Sequence, residues 1–431
     1  MTSQPVAALW WVIQLAIAVA TIQVKGADIP PLLTIGLGEF LLHPQLSLSQ
    51  SFSDNLFSTR DRIGDEITTL GLGMSLQVGR VSKDFVIANY GFSQRFYAEN
   101  PSLNGTDHSL GLGLALRGSK LSFSGTESFQ FLSQPLGSIQ ESRPVQPAPG
   151  ESGQIPDPSN GPGPPGGGNE TIIQVPAGSI DRTTHAESYL LSYAWSEKTH
   201  VYLQATRSAT DYQASISLFD ETTVRAVFGY SYQLLPKTSV FGEAVFGRTT
   251  LEANSTVGDQ PASTFFGGAV GVRGRFSEKL SGELRLGYEA RKFGGFLASP
   301  DYPVLNASVS YAATPKRNLT LSIASQQEIS SQFSQSSYKL LSVGARLNQN
   351  IGSSGKWSGS AGASVSRYDY VGTAAATSDY HRFVGDVALR YQIQRWLVAN
   401  LSYNLSAMRR AAVGADDYSA NQVSLSFAVG Y

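Results

Sequence analysis

The last nine residues of the chain constrain its fold more than any other stretch. Residues 423–431 read VSLSFAVGY, so large apolar side chains alternate with small or polar ones. Because successive side chains of a β-strand point to opposite faces, this segment has one apolar and one polar face. Such a strand lies either on the core of a soluble protein or between lipid and a water-filled lumen. The rest of the chain favours lipid.

Period-two segments follow one another from residue 46 to the end. In 66–78, for example, Leu70, Leu72 and Met74 alternate with glycines and a serine. Strands of about ten residues with this pattern are typical of outer-membrane barrels. We count 18 segments: 46–52, 66–78, 85–97, 108–117, 121–131, 187–195, 200–207, 223–234, 239–248, 265–276, 280–290, 304–312, 319–326, 340–348, 357–368, 382–393, 397–407 and 422–431.

The connections between these segments alternate in length. Short ones, such as 196–198 and 236–237, alternate with long ones, such as 252–264 and 293–302. Bacterial barrels place short turns on the periplasmic rim and long loops on the outer rim. The sequence therefore predicts an all-β fold, a transmembrane antiparallel up-and-down β-barrel of about 18 strands with both termini in the periplasm.

Composition excludes several other classes of protein. Charged residues make up 15% of the chain, against about 25% in soluble domains, and the net charge of −1 argues against a nucleic-acid partner. No long apolar run occurs beyond the N-terminus, which excludes a bundle of transmembrane helices. Cys is absent and the five His show no H-x-x-x-H spacing, so we expect no metal site and no cofactor.

Aromatic residues collect at the short-turn ends of the segments. In a barrel they would form a girdle at the depth of the periplasmic headgroups, and in a soluble sandwich they would be core. They are Tyr193, Trp195, Tyr230, Tyr232, Phe276, Trp357, Tyr391, Trp396 and Tyr431.

Two regions differ from the strand pattern. Residues 1–26 contain an apolar run, Val6 to Ile22, in which Ala18-Val19-Ala20 fits a cleavage site. The run predicts a cleaved signal peptide, with an uncleaved membrane anchor as the alternative. Residues 135–179 are rich in Pro and Gly and predict a disordered extracellular loop within the barrel domain 27–431; an interdomain linker is the alternative. We expect the outer membrane of a diderm bacterium as the location.

Charged residues of the strands share one phase of the alternation. If the apolar faces look outward, these residues point inward, where they avoid a cost of roughly 2–4 kcal/mol for each Arg or Lys at the bilayer midplane. They are the predicted pore-lining residues: Arg225, Glu243, Arg273, Arg275, Glu283, Arg285, Glu289, Arg291, Arg346, Arg382, Asp386 and Arg390. The Arg excess would favour anions or acidic glycans, but simple pairing of Arg and Glu across the wall is the favoured explanation of these residues.

Signs of enzymatic chemistry are weak. Gly113, Gly118 and Lys120 approach the spacing of a phosphate-binding loop, but Ser119 precedes Lys120 and a leucine-alternating strand occupies the region. The chain contains no G-x-S-x-G motif. We interpret His108, His185, His200 and His381 as solvated residues of strand ends or loops. We expect no enzyme and no catalytic residue; an outer-membrane hydrolase remains the alternative.

Two stretches resemble the putative beta-barrel porin 2 family of outer-membrane proteins. One runs from His43-Pro44-Gln45 through Phe52-Ser53-Asp54-Asn55-Leu56-Phe57 to residues 65–76. The other runs from Tyr403-Asn404-Leu405-Ser406 through Asp417-Tyr418-Ser419 to Tyr431. The resemblance implies a barrel associated with exopolysaccharide export.

We therefore expect a passive channel for polysaccharide export or solute diffusion. Its expected partners are outer-membrane lipid, the barrel-assembly machinery through the last strand ending in Tyr431, and anionic polysaccharide or periplasmic export components. The alternative is a structural or surface-interaction barrel without an open pore. A soluble β-sandwich also fits the alternation alone.

Overall fold

The described part of the chain consists almost entirely of strands. A computed structural model describes residues 35–37, 40–79, 84–135, 140–141, 169–170, 179–213, 219–252, 262–294, 302–330, 336–372, 379–410 and 417–430. The predicted signal peptide, most of the predicted loop 135–179 and Tyr431 lie outside the described residues. No helix among the described residues is long and apolar enough to cross a membrane.

The secondary structure comprises 21 strands and one short 3₁₀ helix, Pro101–Leu103. The strands are β1 (Ile35–Leu37), β2 (Phe40–Ser53), β3 (Asp65–Gly79), β4 (Phe85–Tyr97), β5 (Gly105–Arg117), β6 (Leu121–Pro135), β7 (Gln140–Glu141), β8 (Asn169–Glu170), β9 (Ser179–Ala194), β10 (Thr199–Tyr212), β11 (Asp220–Leu235), β12 (Thr238–Glu252), β13 (Ser263–Arg275), β14 (Leu280–Phe293), β15 (Tyr302–Thr314), β16 (Arg317–Ile329), β17 (Ser336–Ile351), β18 (Trp357–Gly372), β19 (Tyr380–Gln394), β20 (Leu397–Arg410) and β21 (Tyr418–Val429).

Eighteen of these strands form a closed antiparallel barrel. Each of β2–β6 and β9–β21 pairs with its neighbour in sequence, and β21 pairs with β2 to close the wall. Strand β1 adds a short pairing to the start of β2, and β7 pairs only with β8. The predicted fold class and strand number are therefore confirmed. Closure also leaves no free edge along the wall for another chain to pair with.

All 18 predicted segments are strands, but most strands extend beyond the predicted ends. The extension is largest at the long-connection side: β9 begins at Ser179 rather than 187, and β12 ends at Glu252 rather than 248. Beyond the apolar band, both faces of a strand meet water or loops, so the apolar alternation that marks the strand is lost. The sequence pattern therefore marks the lipid-facing length of each strand rather than the whole strand.

The two faces of the barrel wall differ in composition. One face carries the exposed large apolar side chains, such as Leu72 (55% exposed), Phe228 (56%) and Val270 (65%). We call it the outer face, and the opposite one the inner face. Six predicted girdle aromatics are exposed: Tyr193, Trp195, Tyr230, Tyr232, Phe276 and Trp357. Tyr391 stacks on Trp357 with ring centroids 4.3 Å apart.

A set of hydrogen bonds, which we call the clasp, joins the first and last barrel strands at their long-connection ends. The carboxylate of Asp54 accepts from the backbone N–H of Asn421 (2.6 Å) and from its side-chain amide (2.7 Å). The backbone N–H of Asp54 donates to the carbonyl of Asn421 in return. The buried Asn55 donates to the carbonyl of Ser419 at 3.1 Å. The two stretches that carry the family resemblance thus meet at this clasp.

Candidate functional site

The charged residues of the inner face meet across the concave side of the wall. Neighbouring strands lie about 4.8 Å apart, so side chains two strands apart converge only where the sheet curves toward them. Glu243 of β12 contacts Arg285 of β14, and Arg346 of β17 contacts Asp386 of β19. Each pair spans an intervening strand. The contacts identify the charged face as the inside of the barrel.

Glu243 is the centre of the most buried polar cluster. Its carboxylate accepts from Nε of Arg285 at 2.8 Å and from the hydroxyl of Tyr202 at 2.6 Å. The Glu243 side chain is 0% exposed and that of Arg285 is 9% exposed. The guanidinium of Arg273 lies over the rings of Phe241 (4.8 Å) and Tyr202 (5.8 Å). A carboxylate this deeply buried is tolerated only because the Arg and Tyr donors satisfy it.

A glycine makes the Tyr202–Glu243 contact possible. Gly229 lies on β11, between the strands that carry Tyr202 and Glu243. The ring of Tyr202 lies where a Cβ of residue 229 would be. Any other residue at this position would push the ring away from Glu243. The high glycine content of the strands therefore has a steric cause at this point.

Arg291 is the centre of a second cluster on the same side of the barrel. It pairs with Glu289 of its own strand at 3.0 Å and with Glu328 of β16 at 3.4 Å. Its guanidinium also lies 4.5 Å from the ring centre of Phe265. The Arg291 side chain is only 3% exposed. Its charge is thus shared between two carboxylates within the wall.

The pair of Arg346 and Asp386 lies further along the same wall, on β17 and β19, and is much more open. Nη2 of Arg346 donates to Oδ1 of Asp386 at 2.8 Å, and the two side chains are 50% and 26% exposed. The pair crosses β18 at Gly362, where an added Cβ would lie 2.5 Å from Oδ1 of Asp386. An exposed inner-face Arg is available to a passing solute in a way that the buried Arg291 is not.

The remaining predicted residues differ in their surroundings. Arg382 is buried (3% exposed) and its Nε donates to the hydroxyl of Ser406 at 3.4 Å. Arg273 and Glu283 are register partners on β13 and β14. Nε of Arg225 is buried without a hydrogen-bond partner among the described residues. Arg225 and Arg390 are partly exposed, and Arg275 is exposed at the short-turn end.

The twelve residues therefore fall into two groups. Glu243, Arg285, Arg291 and Arg382 are buried among neighbouring side chains, which fits pairing within the wall. The others are at least partly exposed on the inner face or at its rim. That they line a path for solutes stays a prediction. The burial shows which of them a solute could touch without a rearrangement.

Several inner-face residues were absent from the sequence prediction. Arg95 pairs with Asp107 at 2.8 Å, and Glu328 completes the Arg291 cluster. Arg182 is buried on the inner face, near the start of β9. These four additions are two Arg and two carboxylates; Asp65, Glu221 and Arg410 share the inner phase as well, which lowers the excess of Arg over carboxylates by one. Their strand-end positions lie beyond the predicted segments in three of the four cases, which is why the alternation missed them.

Apolar clusters lie at the long-connection ends of the strands. The largest contains a stack of Tyr368 and Tyr380, with ring centroids 4.3 Å apart. Its members are Tyr338, Leu340, Tyr368, Tyr370, Tyr380, Met408 and Tyr418. A second consists of Phe219, Leu251, Phe293 and Ile329, and a third of Leu56, Ile67, Tyr97 and Leu103. Bulky apolar side chains are therefore packed together at this end of the barrel.

The features that suggested chemistry have structural roles. Gly113 lies within β5, and the turn to β6 follows, so the region is a strand rather than a phosphate-binding loop. His185 lies within β9 and not in a loop, contrary to the sequence interpretation, and bonds to Glu127. His108 lies within β5 and bonds to the hydroxyl of Tyr90. Glu127, His185 and Glu187 form a group able to hold a metal ion, on the outer face.

Several solved structures are similar to this chain over most of its length. They include OpdO of Pseudomonas aeruginosa (12% identity, TM-score 0.46), covering 90% of this chain and 97% of that chain. OccK1 (OpdK) of the same organism has 12% identity and a TM-score of 0.46, with 90% and 99% coverage. OccAB4 of Acinetobacter baumannii has 10% identity and a TM-score of 0.44, with 93% and 99% coverage. A search of curated proteins finds no match.

A comparison with protein families identifies the chain. The family described as putative beta-barrel porin 2 matches residues 194–431, more than half of the sequence. The match begins at the end of β9 and covers β10–β21, including the strands that carry all twelve predicted inner-face residues. The closed 18-stranded wall, its apolar outer face and this match agree, and the chain belongs to the putative beta-barrel porin 2 family.

Proposed function

We propose that this outer-membrane barrel is a passive channel whose interior favours anions, with acidic oligosaccharides as its cargo. The observation that carries the proposal is the excess of Arg on the inner face, eight Arg against four carboxylates among the predicted residues. Fixed charge along a pore raises the concentration of the opposite ion within it. The chain resembles a family that is associated with exopolysaccharide export, and this resemblance supports a sugar cargo.

The open pair of Arg346 and Asp386 indicates where a solute would pass. The charged clusters around Glu243 and Arg291 are packed within the β10–β16 wall. Arg346, on the next strand β17, keeps half of its side chain exposed. We therefore place the path for solutes along β17–β20. An 18-stranded barrel is wide enough for an aqueous channel when side chains and loops leave it free.

The test is single-channel conductance of the refolded full chain in a planar bilayer with a salt gradient. We expect steady conductance with a reversal potential that indicates anion preference. Arg346→Gln should shift the reversal potential toward zero, because it removes an exposed inner-face charge. Arg367→Gln is the matched control, since Arg367 is an exposed Arg of β18 on the outer face. An equal shift in both variants would contradict the proposed path.

The cargo is tested with oligosaccharides added during the recordings. An acidic oligosaccharide, such as oligogalacturonate, should interrupt the current at lower concentrations than a neutral oligosaccharide of the same length. If the two sugars block equally, the proposal of an acidic cargo is wrong, and the proposal of a channel is unaffected. Assembly through the last strand, and contact with periplasmic export components, stay proposals; Tyr431 lies outside the described residues.

A second candidate is a structural barrel without an open pore. The packed apolar clusters at the long-connection end favour it, because they place bulky, buried side chains at that end of the barrel. The same recordings separate the two functions. Silence from protein shown to be inserted in the bilayer would exclude the channel and support the structural barrel.

A further inference from the structure

Four polar side chains form a cluster on the outer face of the barrel, where lipid is expected. Glu127 of β6, His185 and Glu187 of β9, and Arg207 of β10 share the phase of exposed apolar residues. In the same strands and phase, Leu191 is 41% exposed and Leu203 is 48% exposed. We call the four residues the outer polar cluster.

The outer polar cluster lies in the upper half of the apolar band. Glu187 is six residues above the girdle residue Tyr193 on β9. At about 3.3 Å per residue and a tilt of about 40°, that is roughly 15 Å above the periplasmic girdle, beyond the middle of a band of about 25 Å. Phe129, 45% exposed, lies on the far side of Glu127 in the same strand. Phe129 is the register partner of His185, and beyond the cluster the same phase carries Thr183 on β9 and Asp211 on β10, so apolar surface lies below and beside the cluster.

The charges of the cluster do not balance. Glu127 and Glu187 are direct register partners on β6 and β9, and like charges in that arrangement destabilise a sheet. Arg207 donates to Glu187 at 2.9 Å and to Nδ1 of His185 at 3.1 Å. Nδ1 therefore accepts, and Nε2 carries the hydrogen donated to Glu127 at 3.0 Å. Arg207 is the one Arg or Lys of the cluster, and it contacts Glu187 while Glu127 lies beside Glu187 in surroundings of low dielectric constant.

Three of the four side chains offer ligand atoms at metal-binding distances from one another. The ligand atoms of Glu127, His185 and Glu187 lie within 4.8 Å of one another. His185 is 3.0 Å from Glu127 and 3.6 Å from Glu187. Zinc bonds of about 2.1 Å in tetrahedral geometry place ligand atoms about 3.4 Å apart. The guanidinium of Arg207 is already hydrogen-bonded to two of these three side chains, His185 and Glu187.

We propose that Glu127, His185 and Glu187 bind a divalent transition-metal cation on the outer face of the barrel. One imidazole and two carboxylates suit Zn²⁺, whereas Mg²⁺ and Ca²⁺ prefer oxygen ligands alone. For Nε2 of His185 to bind the cation, the imidazole hydrogen moves from Nε2 to Nδ1, and the guanidinium of Arg207 turns away from Nδ1 while keeping its bond to Glu187. The cation then neutralises the carboxylate of Glu127, which Arg207 does not contact. It is independent of conduction, because all three ligands lie on the face opposite to the pore.

The position of the site gives it a structural role. Strands β6 and β9 are neighbours in the wall, but residues 136–178 separate them in the chain, the longest connection between paired barrel strands. Closing a longer loop costs more conformational entropy. A cross-link between β6 and β9 therefore stabilises the folded state more than a cross-link across a tight hairpin would. The metal joins β6 to β9 and holds together the strands from which the long insertion leaves the barrel.

The test is zinc binding to the untagged, full-length, refolded protein after treatment with a chelator. Calorimetric titration with Zn²⁺ should show one saturable site per chain. His185→Gln and Glu127→Gln should each weaken binding at least tenfold. His108→Gln is the matched control, because His108 is another outer-face histidine, with Tyr90 rather than carboxylates as its neighbour. Arg207→Gln should tighten binding about tenfold by removing a competing cation.

A second readout follows the structural role. Saturating Zn²⁺ should slow hydrogen exchange in β6 and β9 of the wild-type protein and leave exchange in β17 and β18 unchanged. Mg²⁺ should have a much smaller effect. Zinc binding that is absent from the wild type, or unchanged in both His185→Gln and Glu127→Gln, would overturn the proposal. If one variant fails to refold, the other and the wild-type exchange experiment give the answer.

Discussion

At the scale of single residues, the barrel interior depends on how completely each buried charge is satisfied. Glu243 has two donors and no exposed surface, whereas Asp386 has one Arg partner and is 26% exposed. The two carboxylates occupy the same face of the same wall. Their energetic roles should nevertheless differ strongly, because solvent screens the pair at Asp386 and not the pair at Glu243.

Glu243→Gln tests the buried pair. The substitution leaves the charge of Arg285 buried without a counter-charge, and we expect a loss of about 3–5 kcal/mol in the free energy of unfolding. Urea unfolding of the protein in lipid vesicles measures it. Asp386→Asn is the control and should cost less than about 1 kcal/mol. Equal losses in the two variants would show that burial does not govern these pairs.

Gly229→Ala tests the steric role of glycine in the same cluster. The added methyl group would collide with the ring of Tyr202, and we expect a loss of about 1–3 kcal/mol in unfolding free energy. Gly242→Ala is the matched control, because an added Cβ there meets no atom within 4 Å. It should be neutral or slightly stabilising. A stable Gly229→Ala protein with an intact Tyr202–Glu243 contact would contradict this explanation.

Sequence reasoning reaches some of these residues and not others. Alternation alone assigns Glu243 and Arg285 to one phase, because a charge on the lipid face is costly. It gives no information on which of them meet, since Tyr202, Glu243 and Arg285 lie on three different strands whose register depends on every turn between them. It also overlooks the outer polar cluster, whose members Glu127 and His185 are far apart in the chain.

At the scale of elements, the seams between strands are not equally strong. Strands β15 and β16 stop pairing at Asn306 and Ala324, although each continues to pair with its other neighbour. Pro303 gives the physical cause. Its carbonyl points toward β16, so its missing N–H lies on the same side and cannot extend the ladder. The hydroxyl of Ser325 bridges the gap, accepting from the N–H of Leu305 and donating to Pro303.

Ser325→Ala tests this bridge. Loss of the hydroxyl removes the acceptor of the Leu305 N–H, so the amide of Leu305 should exchange with solvent faster than in the wild type. Hydrogen exchange followed by mass spectrometry of peptides from β15 measures the change. Ser322→Ala, in the paired part of β16, serves as the control. Unchanged exchange at Leu305 would show that another group satisfies its amide.

Asp54→Ala tests the clasp between the first and last barrel strands. The carboxylate holds two N–H donors of Asn421, and we expect a loss of about 1–3 kcal/mol in unfolding free energy. The shift of the folded band on unheated electrophoresis should also disappear at a lower temperature. Asp61→Ala, at an exposed position of the same loop, should leave both measurements unchanged.

At the scale of the whole molecule, the barrel is recognisable from the sequence because its wall repeats. Each lipid-facing stretch shows the same alternation, and the alternation of short and long connections fixes the antiparallel order. The strand number and the inner phase follow from that repetition. The interior packing does not, because the apolar clusters around Tyr368 and Phe293 come from strand ends where the pattern is lost.

Removal of residues 140–175 tests the independence of the wall from its long insertion. Strands β6 and β9 pair from Leu121 to Pro135 without any contribution from the deleted residues. We expect the shortened protein to fold and to conduct as the full chain does. Conductance that appears only after the deletion would instead make the insertion a plug or a gate.

The shared seam of β2 and β21 has a consequence for how the protein is made. The eight register pairs between Leu46 and Val429 at one end and Ser53 and Gln422 at the other form only when both ends of the chain are present. A product of interrupted synthesis cannot close, and it presents two open strand edges to every neighbour. A chain truncated near its C-terminus therefore cannot form a smaller barrel. We expect such a chain to be degraded by proteases.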